Sequence, residues 1–282
     1  MIAANFDYES PRTLSEALNL LSSRQDAKIL AGGHSLLPAM KLRLAQPALL
    51  VDIGRIGGLS YIRESGDKIV LGAMTTHAEV KASPLLLRAS PLLALTAAQI
   101  GDIQVRNRGT IGGSLAQAHP AADYPASVLA LDAEIVAQSR SGERVIPATK
   151  FFLGMFSTEL RNDEILTEVR VPRTSGEKVA YKKFHHPASG YAVVGAAVRL
   201  KMSGAQIDTA AVGITGVSDV AYRGANVENA LRGKTSSAFP AAASQAAQGV
   251  DLIGDVYASA TYRRHLVTVF VRRALEEAAS GK

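Results

Sequence analysis

Two short stretches hold the residues best placed for chemistry. The first is Leu30-Ala31-Gly32-Gly33-His34-Ser35-Leu36-Leu37-Pro38. The second, about eighty residues on, is Arg108-Gly109-Thr110-Ile111-Gly112-Gly113-Ser114-Leu115-Ala116. Adjacent glycines admit positive φ and let a ligand approach bare peptide N–H groups. Successive N–H groups in such a turn form a concave nest for an anion such as a pyrophosphate. Ser35 in the first stretch, and Thr110 and Ser114 in the second, add hydroxyls. Neither stretch has the Gly-Lys-Ser/Thr of a P-loop or the G-x-G-x-x-G spacing of a dinucleotide fold. A single Gly-Gly is an ordinary tight turn. Two of them, each flanked by strand-like residues and each bearing a hydroxyl, point to one diphosphate-containing cofactor held from two sides.

Other chemistries find less support. His185 and His186 on a strand would project to opposite faces and make a poor chelate. With no cysteine and no H-E-x-x-H, no metal site is expected. No Ser-His-Asp set stands in a recognisable context. The lack of cysteine excludes disulfides, thiolate zinc sites and cysteine-ligated iron–sulfur clusters within this chain. Single-electron chemistry through clusters would therefore need a partner. The net charge is +6, but the basic residues are scattered and aromatics make up only 5%, so nucleic-acid binding is not expected. A basic face toward an acidic partner subunit fits the same charge. No apolar run approaches the ~20 residues of a membrane span. The stretch Met1-Ile2-Ala3-Ala4-Asn5-Phe6-Asp7 lacks the basic region and apolar core of a signal peptide, so a cytoplasmic location is expected.

The elements that must position the two stretches follow from periodicity. Residues 6–8 read as extended. Thr13 and Glu16 form a capping box, and Leu14, Ala17, Leu18 and Leu21 fall on one helical face. Strands are expected at 28–30 and 49–53, on either side of the first glycine stretch. Residues 60–64 and 68–72 read as a hairpin, and Thr76 as the cap of a helix over 77–81. Residues 84–99 are apolar nearly all round and read as one buried helix. Residues 101–107 lead into the second glycine stretch, and a helix starts near Asp123 and runs to about 131. Paired strands at 133–137 and 143–146 and a strand at 166–171 follow. Residues 173–177 (Arg-Thr-Ser-Gly-Glu) read as a linker. Beyond it, strands at 179–184, 192–200 and 207–215 form a small antiparallel sheet, followed by helices at 225–231, 237–248 and 262–277.

The segments AGGHSLLPAMKLR (31–43) and RNRGTIGGSLAQAHPAADYPA (106–126), in this order and at this separation, resemble the FAD-binding medium subunit of the molybdenum hydroxylases. That family includes the carbon monoxide dehydrogenase and xanthine dehydrogenase flavoproteins. The resemblance covers nearly the whole chain. It implies an α+β fold: a two-part FAD-binding domain of the PCMH type over 1–175, with α/β subdomains of about 1–54 and 55–175. A C-terminal CO dehydrogenase flavoprotein-like domain, with a three-stranded antiparallel sheet and helices, would occupy 176–282. It also implies FAD in this chain, a molybdenum cofactor on a large partner and 2Fe-2S clusters on a small one. A dimer of heterotrimers and an external electron acceptor complete the implied assembly.

The implied cofactor contacts are Leu30, Ala31, Gly32, Gly33, His34, Ser35, Leu36 and Leu37 around the diphosphate. Thr110, Ile111, Gly112, Gly113 and Ser114 form the opposing wall, with Gly101 beside them. His34 has a second reading as a side chain that steadies its turn. Asp123 is a candidate hydroxyl partner for the ribityl or ribose, or else a helix N-terminal carboxylate. Ile165 and Leu166 resemble an aliphatic pair near the cofactor, or are strand core. Lys183 resembles a cofactor-contacting lysine, or is an exposed strand lysine. Tyr191, after a glycine, can lie over the isoalloxazine and control access to it. Two positions depart from the family pattern: Ser114 replaces the usual asparagine, and His119 stands where a smaller or acidic residue is common. No catalytic acid–base pair is expected. The alternatives are a stand-alone flavin oxidase, for which the part after the linker is thin, and a non-catalytic nucleotide-binding module.

Overall fold

The computed structural model describes residues 2–281; Met1, which heads the N-terminal stretch read above, and Lys282 lie outside the described residues. The first region carries strands β1 (Asp7–Glu9), β2 (Ala27–Leu30) and β3 (Leu49–Asp52), with helices α1 (Leu14–Ser23) and α2 (Leu36–Lys41) between them. Strand β3 lies between β1 and β2, and both pairings are parallel. Parallel neighbours need crossovers, which these helices supply. The Thr13–Glu16 capping box fixes the start of α1. Its Ala17, Leu18 and Leu21 pack with Leu49, Val51 and Ile53. The first glycine stretch therefore leaves the carboxyl end of β2, the edge of a parallel sheet where ligands bind.

The second region opens with the hairpin β4 (Ile62–Ser65) and β5 (Lys68–Gly72). Helix α3 (His77–Ala82) follows, capped by Thr76 in a second capping box with Glu79. Residues 84–99 form two helices rather than one, α4 (Pro84–Ala89) and α5 (Pro91–Ala98). Pro91 has no N–H to donate and drives Ser90 out of the helical region, to φ −155. Residues 101–107 likewise are not a lead-in: Asp102 caps a helix, α6 (Ile103–Arg108). The second glycine stretch is itself a helix start, α7 (Ile111–Gln117), with Thr110 as its cap. Helix α8 (Tyr124–Ala130) is buried throughout. Strands β6 (Glu134–Ser139) and β7 (Gly142–Pro147), the short helix α9 (Ala148–Phe151), the small hairpin β8 (Phe152–Gly154) and β9 (Ser157–Thr158), and β10 (Ile165–Pro172) complete the region. Its five-stranded sheet has the order β4-β5-β10-β6-β7 and is antiparallel.

The third region is a sheet of β11 (Lys178–His185), β12 (Ala192–Ser203), β13 (Gln206–Thr215) and β14 (Tyr222–Arg223), paired antiparallel in that order. The fourth strand corrects the expected three; two residues are too short to show a period-2 pattern. Helices α10 (Ala225–Leu231), α11 (Phe239–Ala243) and α12 (Ala260–Ser280) follow. The helix expected over 237–248 ends at Ala243. There the Ser244 hydroxyl bonds back to the Ala241 carbonyl, an alternative to continuing the helix. Helix α12 lays Val267, Val271, Ala274 and Leu275 on β11 and β12, while α8 of the second region packs against β12 and β13. At Gly213 a Cβ would run into the Ala126 carbonyl of α8. The third sheet is thus built onto the second region by a backbone-to-backbone contact.

Candidate functional site

A cleft of about 1060 Å³ opens between the two glycine stretches. That is at the upper end of the ~300–1,000 Å³ of small-molecule sites, so it suits a large ligand. The first wall is Ala31, Gly32, Gly33, His34, Ser35 and Leu36. Gly33 sits at φ +76, where a side chain is strained. His34 Nδ1 lies 3.0 Å from the Gly32 carbonyl, so this side chain steadies the turn. Ser35 occupies the cap position of α2 without bonding its hydroxyl there. Among the described residues, the N–H groups of residues 32–35 have no partner. They form an open anion nest.

The second wall differs in kind. Thr110, Gly112, Gly113 and Ser114 line the cleft. Their region's N–H groups, however, are already bonded: Ile111 to the Thr75 carbonyl, Gly112 to the Ala73 carbonyl and Ser114 to the Thr110 carbonyl, at 2.9–3.0 Å. Gly113 donates to Thr110 Oγ1 at 3.1 Å. This wall offers a bare surface and the Ser114 hydroxyl rather than a second nest. The helix start consumes its own donors.

Several glycines serve contact between the walls. A Cβ on Gly32 would run into the Arg108 carbonyl, one on Gly109 would lie 2.5 Å from His77 Nε2, and one on Gly112 would lie 2.5 Å from Ala73 Cβ. His77 lies where the walls meet, only 5% exposed. Its ring is 5.3 Å from that of Tyr124, and among the described residues neither its Nδ1 nor the Tyr124 hydroxyl has a partner. Burial, helped by the charges of His34 and Arg106, lowers its pKa from 6.5 to about 4.

The cleft floor is Asp123. Its carboxylate accepts from Tyr181 Oη at 2.5 Å and from Lys183 Nζ at 2.9 Å, and Lys183 also donates to the Gln99 carbonyl. It does not cap α8. Burial pushes the carboxyl above its ordinary range, against the pull of Lys183 and Tyr181. Lys183 has a fully enclosed side chain. It is neither an exposed strand lysine nor part of the lining; it stands behind Asp123.

The remaining expected residues divide in the same way. Gly101, Ile165, Leu166 and Tyr191 line the cleft. Ile165 and Leu166 are buried in the core as well as lining the cleft. Leu30 and Leu37 flank Gly33 from behind, and Ile111 is wholly enclosed in the core; none of the three lines the cleft. At the mouth, His119 stacks on Tyr191 and meets the edge of Phe156. The sequence reading missed Phe156, whose hairpin has only two- and three-residue strands, and gave His77 no role beyond starting a helix.

The open nest on one wall, the aromatic rings at the mouth and the volume between them fit a ligand with a diphosphate and a large planar end. The fold and the cleft together define a protein that binds a nucleotide cofactor. The family described as "FAD binding domain in molybdopterin dehydrogenase" matches residues 4–174, and "CO dehydrogenase flavoprotein C-terminal domain" matches residues 179–278. The chain belongs to this family of FAD-binding medium subunits of molybdenum hydroxylases. It is 42% identical over 282 residues to the carbon monoxide dehydrogenase medium chain of Hydrogenophaga pseudoflava, covering 99% of this chain and 98% of that one. It is 38% identical over 276 residues to the nicotine 6-hydroxylase medium subunit of Paenarthrobacter nicotinovorans, covering 97% of each. A solved carbon monoxide dehydrogenase from H. pseudoflava, in a form lacking the Mo-pyranopterin moiety, superposes with a TM-score of 0.97 at 41% identity, over 100% of this chain and 99% of that one.

Proposed function

We propose that this chain is the FAD-carrying electron-transfer subunit of a molybdenum hydroxylase. Electrons would come from 2Fe-2S clusters on a small partner, fed by a molybdenum cofactor on a large one, and leave to an external acceptor. The observation that carries the reading is the row of four unpartnered N–H groups at 32–35, facing a cleft of about 1060 Å³. When bound, FAD supplies a carrier that accepts single electrons and delivers one or two. The chain's own residues bind and orient it. The nest at 32–35 holds the diphosphate, and Ser35 and Ser114 offer hydroxyls from the two walls. Asp123, its position fixed by Lys183 and Tyr181, faces the ligand's hydroxyls. Ile165 and Leu166 give an apolar bed, and Tyr191 covers the mouth.

The domain division at about 175, with subdomains meeting near 54, a dimer of heterotrimers and a cytoplasmic location belong to the same proposal. Among the described residues no helix is long and apolar enough to cross a membrane, and no group of three or more His, Cys, Asp or Glu could hold a metal. The test is a visible spectrum of the chain purified from its own host, with iron and molybdenum analysis of what co-purifies. A flavin spectrum, FAD released on denaturation, and both metals in partner chains are expected. FAD reduced directly by a small organic donor in the isolated chain would favour a stand-alone flavin enzyme. No flavin at all would overturn the reading.

A further inference from the structure

Resting on the FAD reading, we propose that His119 is a positioning residue for Tyr191, a backing ring that holds the tyrosine in place over the cleft mouth. The two rings are stacked, with centroids 4.3 Å apart and planes within 12°. On its other side His119 meets the edge of Phe156 at 5.2 Å, near perpendicular. Both arrangements are the favoured aromatic geometries. At 4.3 Å no third ring fits between His119 and Tyr191, so a planar ligand must use the opposite face of Tyr191. The phenol of Tyr191 lies beside the Ser35 side chain. The tyrosine thus spans from the loop after β11 to the first glycine wall, with His119 behind it.

The backbone is bent to achieve this. Ala118 (φ +45) and Phe156 (φ +55) are two of only four non-glycine residues with positive φ among the described residues. Such conformations are strained in residues with a side chain and persist where the surroundings impose them. The two are tied together: the Phe156 N–H donates to the Ala118 carbonyl at 3.1 Å. Between them they aim His119 into the cleft and set Phe156 against it. The ring is also fixed in rotation, since His119 Nδ1 accepts from the Ala121 N–H at 3.0 Å. Loop 186–191 is held from its own side by the Gly190 N–H on the His186 carbonyl and the His186 N–H on the Tyr191 carbonyl. His119 supplies the contact that holds the tyrosine ring itself.

The test measures FAD affinity of the deflavinated full chain, in the assembly in which it purifies, by flavin fluorescence, for wild type, His119→Ala, His119→Asn, His119→Phe and Tyr191→Leu. Asparagine keeps a side-chain acceptor for the Ala121 N–H but has no ring; phenylalanine keeps the ring but has no acceptor. The proposal expects Ala and Asn to weaken FAD binding about five- to tenfold, the worth of one aromatic pair. It expects Phe to stay near wild type, and Tyr191→Leu added to His119→Ala to cost nothing further. Rescue by Asn but not Phe would assign His119 to the turn and overturn the proposal. So would unchanged affinity in His119→Ala, or additive losses in the double variant. A wild-type chain that binds no FAD would overturn the FAD reading as well, which separates the two failures.

Discussion

His77 gives the chain a specific dependence of stability on pH. Its imidazole is buried where the two glycine walls meet, and burial with the His34 and Arg106 charges lowers its pKa from 6.5 to about 4. Between these values the unfolded chain binds a proton that the folded chain refuses. The stabilisation is therefore fully present above pH 6.5 and is lost as pH falls toward 4. The interval spans about 2.5 pH units, and one unit is worth ~1.36 kcal/mol, so the loss reaches about 3 kcal/mol at pH 4. His77→Phe keeps a ring against Tyr124 and removes the titration. The main-chain bond from residue 77 to the Gly109 carbonyl does not depend on the side chain. Urea unfolding of both proteins at pH 7, 6, 5 and 4 isolates the effect, because the other titrating groups cancel in the difference. The variant should gain on wild type by about 3 kcal/mol between pH 7 and 4, most of it below pH 6. Parallel profiles would show that His77 takes up its proton in the folded chain as readily as in the unfolded one, and would refute its burial between closed walls.

Gly32→Ala places a methyl against the Arg108 carbonyl. It should cost about 1–3 kcal/mol in chemical unfolding and weaken FAD binding, whereas Gly57→Ala, where a Cβ meets nothing within 4 Å, should cost less and leave FAD binding unchanged. Lys183→Met strands the Asp123 carboxylate beneath the cleft and should destabilise the chain by about 3–5 kcal/mol; Asp123→Asn combined with Lys183→Met should recover much of that loss. Thr110→Ala removes the oxygen that accepts from the Gly113 N–H. The expected cost is about 1 kcal/mol in thermal or urea unfolding, with the Gly113 N–H released into the cleft.

What could be read from the sequence was what local physics decides. Thr13 with Glu16 marked α1 because a capping box is complete within four residues. The walls' glycines were found because glycine pairs between apolar runs stand out. What those glycines do was not legible. Gly32 and Gly109 make room for other chain segments, Arg108 and His77, and that closeness exists only after folding. The Thr110 stretch resembles a turn through its glycine pair, yet Thr110 followed by an apolar residue is also a helix start. Pro91 did carry a legible signal, since the residue before a proline resists the helical region. The Lys183–Asp123 pair joins residues sixty apart, so its pairing was beyond any local pattern.

The cleft depends on all three regions. The first supplies unbonded N–H donors at the end of a parallel strand. The second supplies Asp123, the bare helix start and His119. The third supplies Tyr191 over the mouth and Lys183 and Tyr181 behind the floor. Each contribution is incomplete without the others: an isolated chain ending near 175 would keep the nest but bury Asp123 without its cation or expose it to water. Helix α8 makes the coupling rigid, because Asp123 immediately precedes it and Ala126 within it meets the backbone of Gly213. A shift of the third sheet therefore moves the carboxylate and the covering tyrosine together.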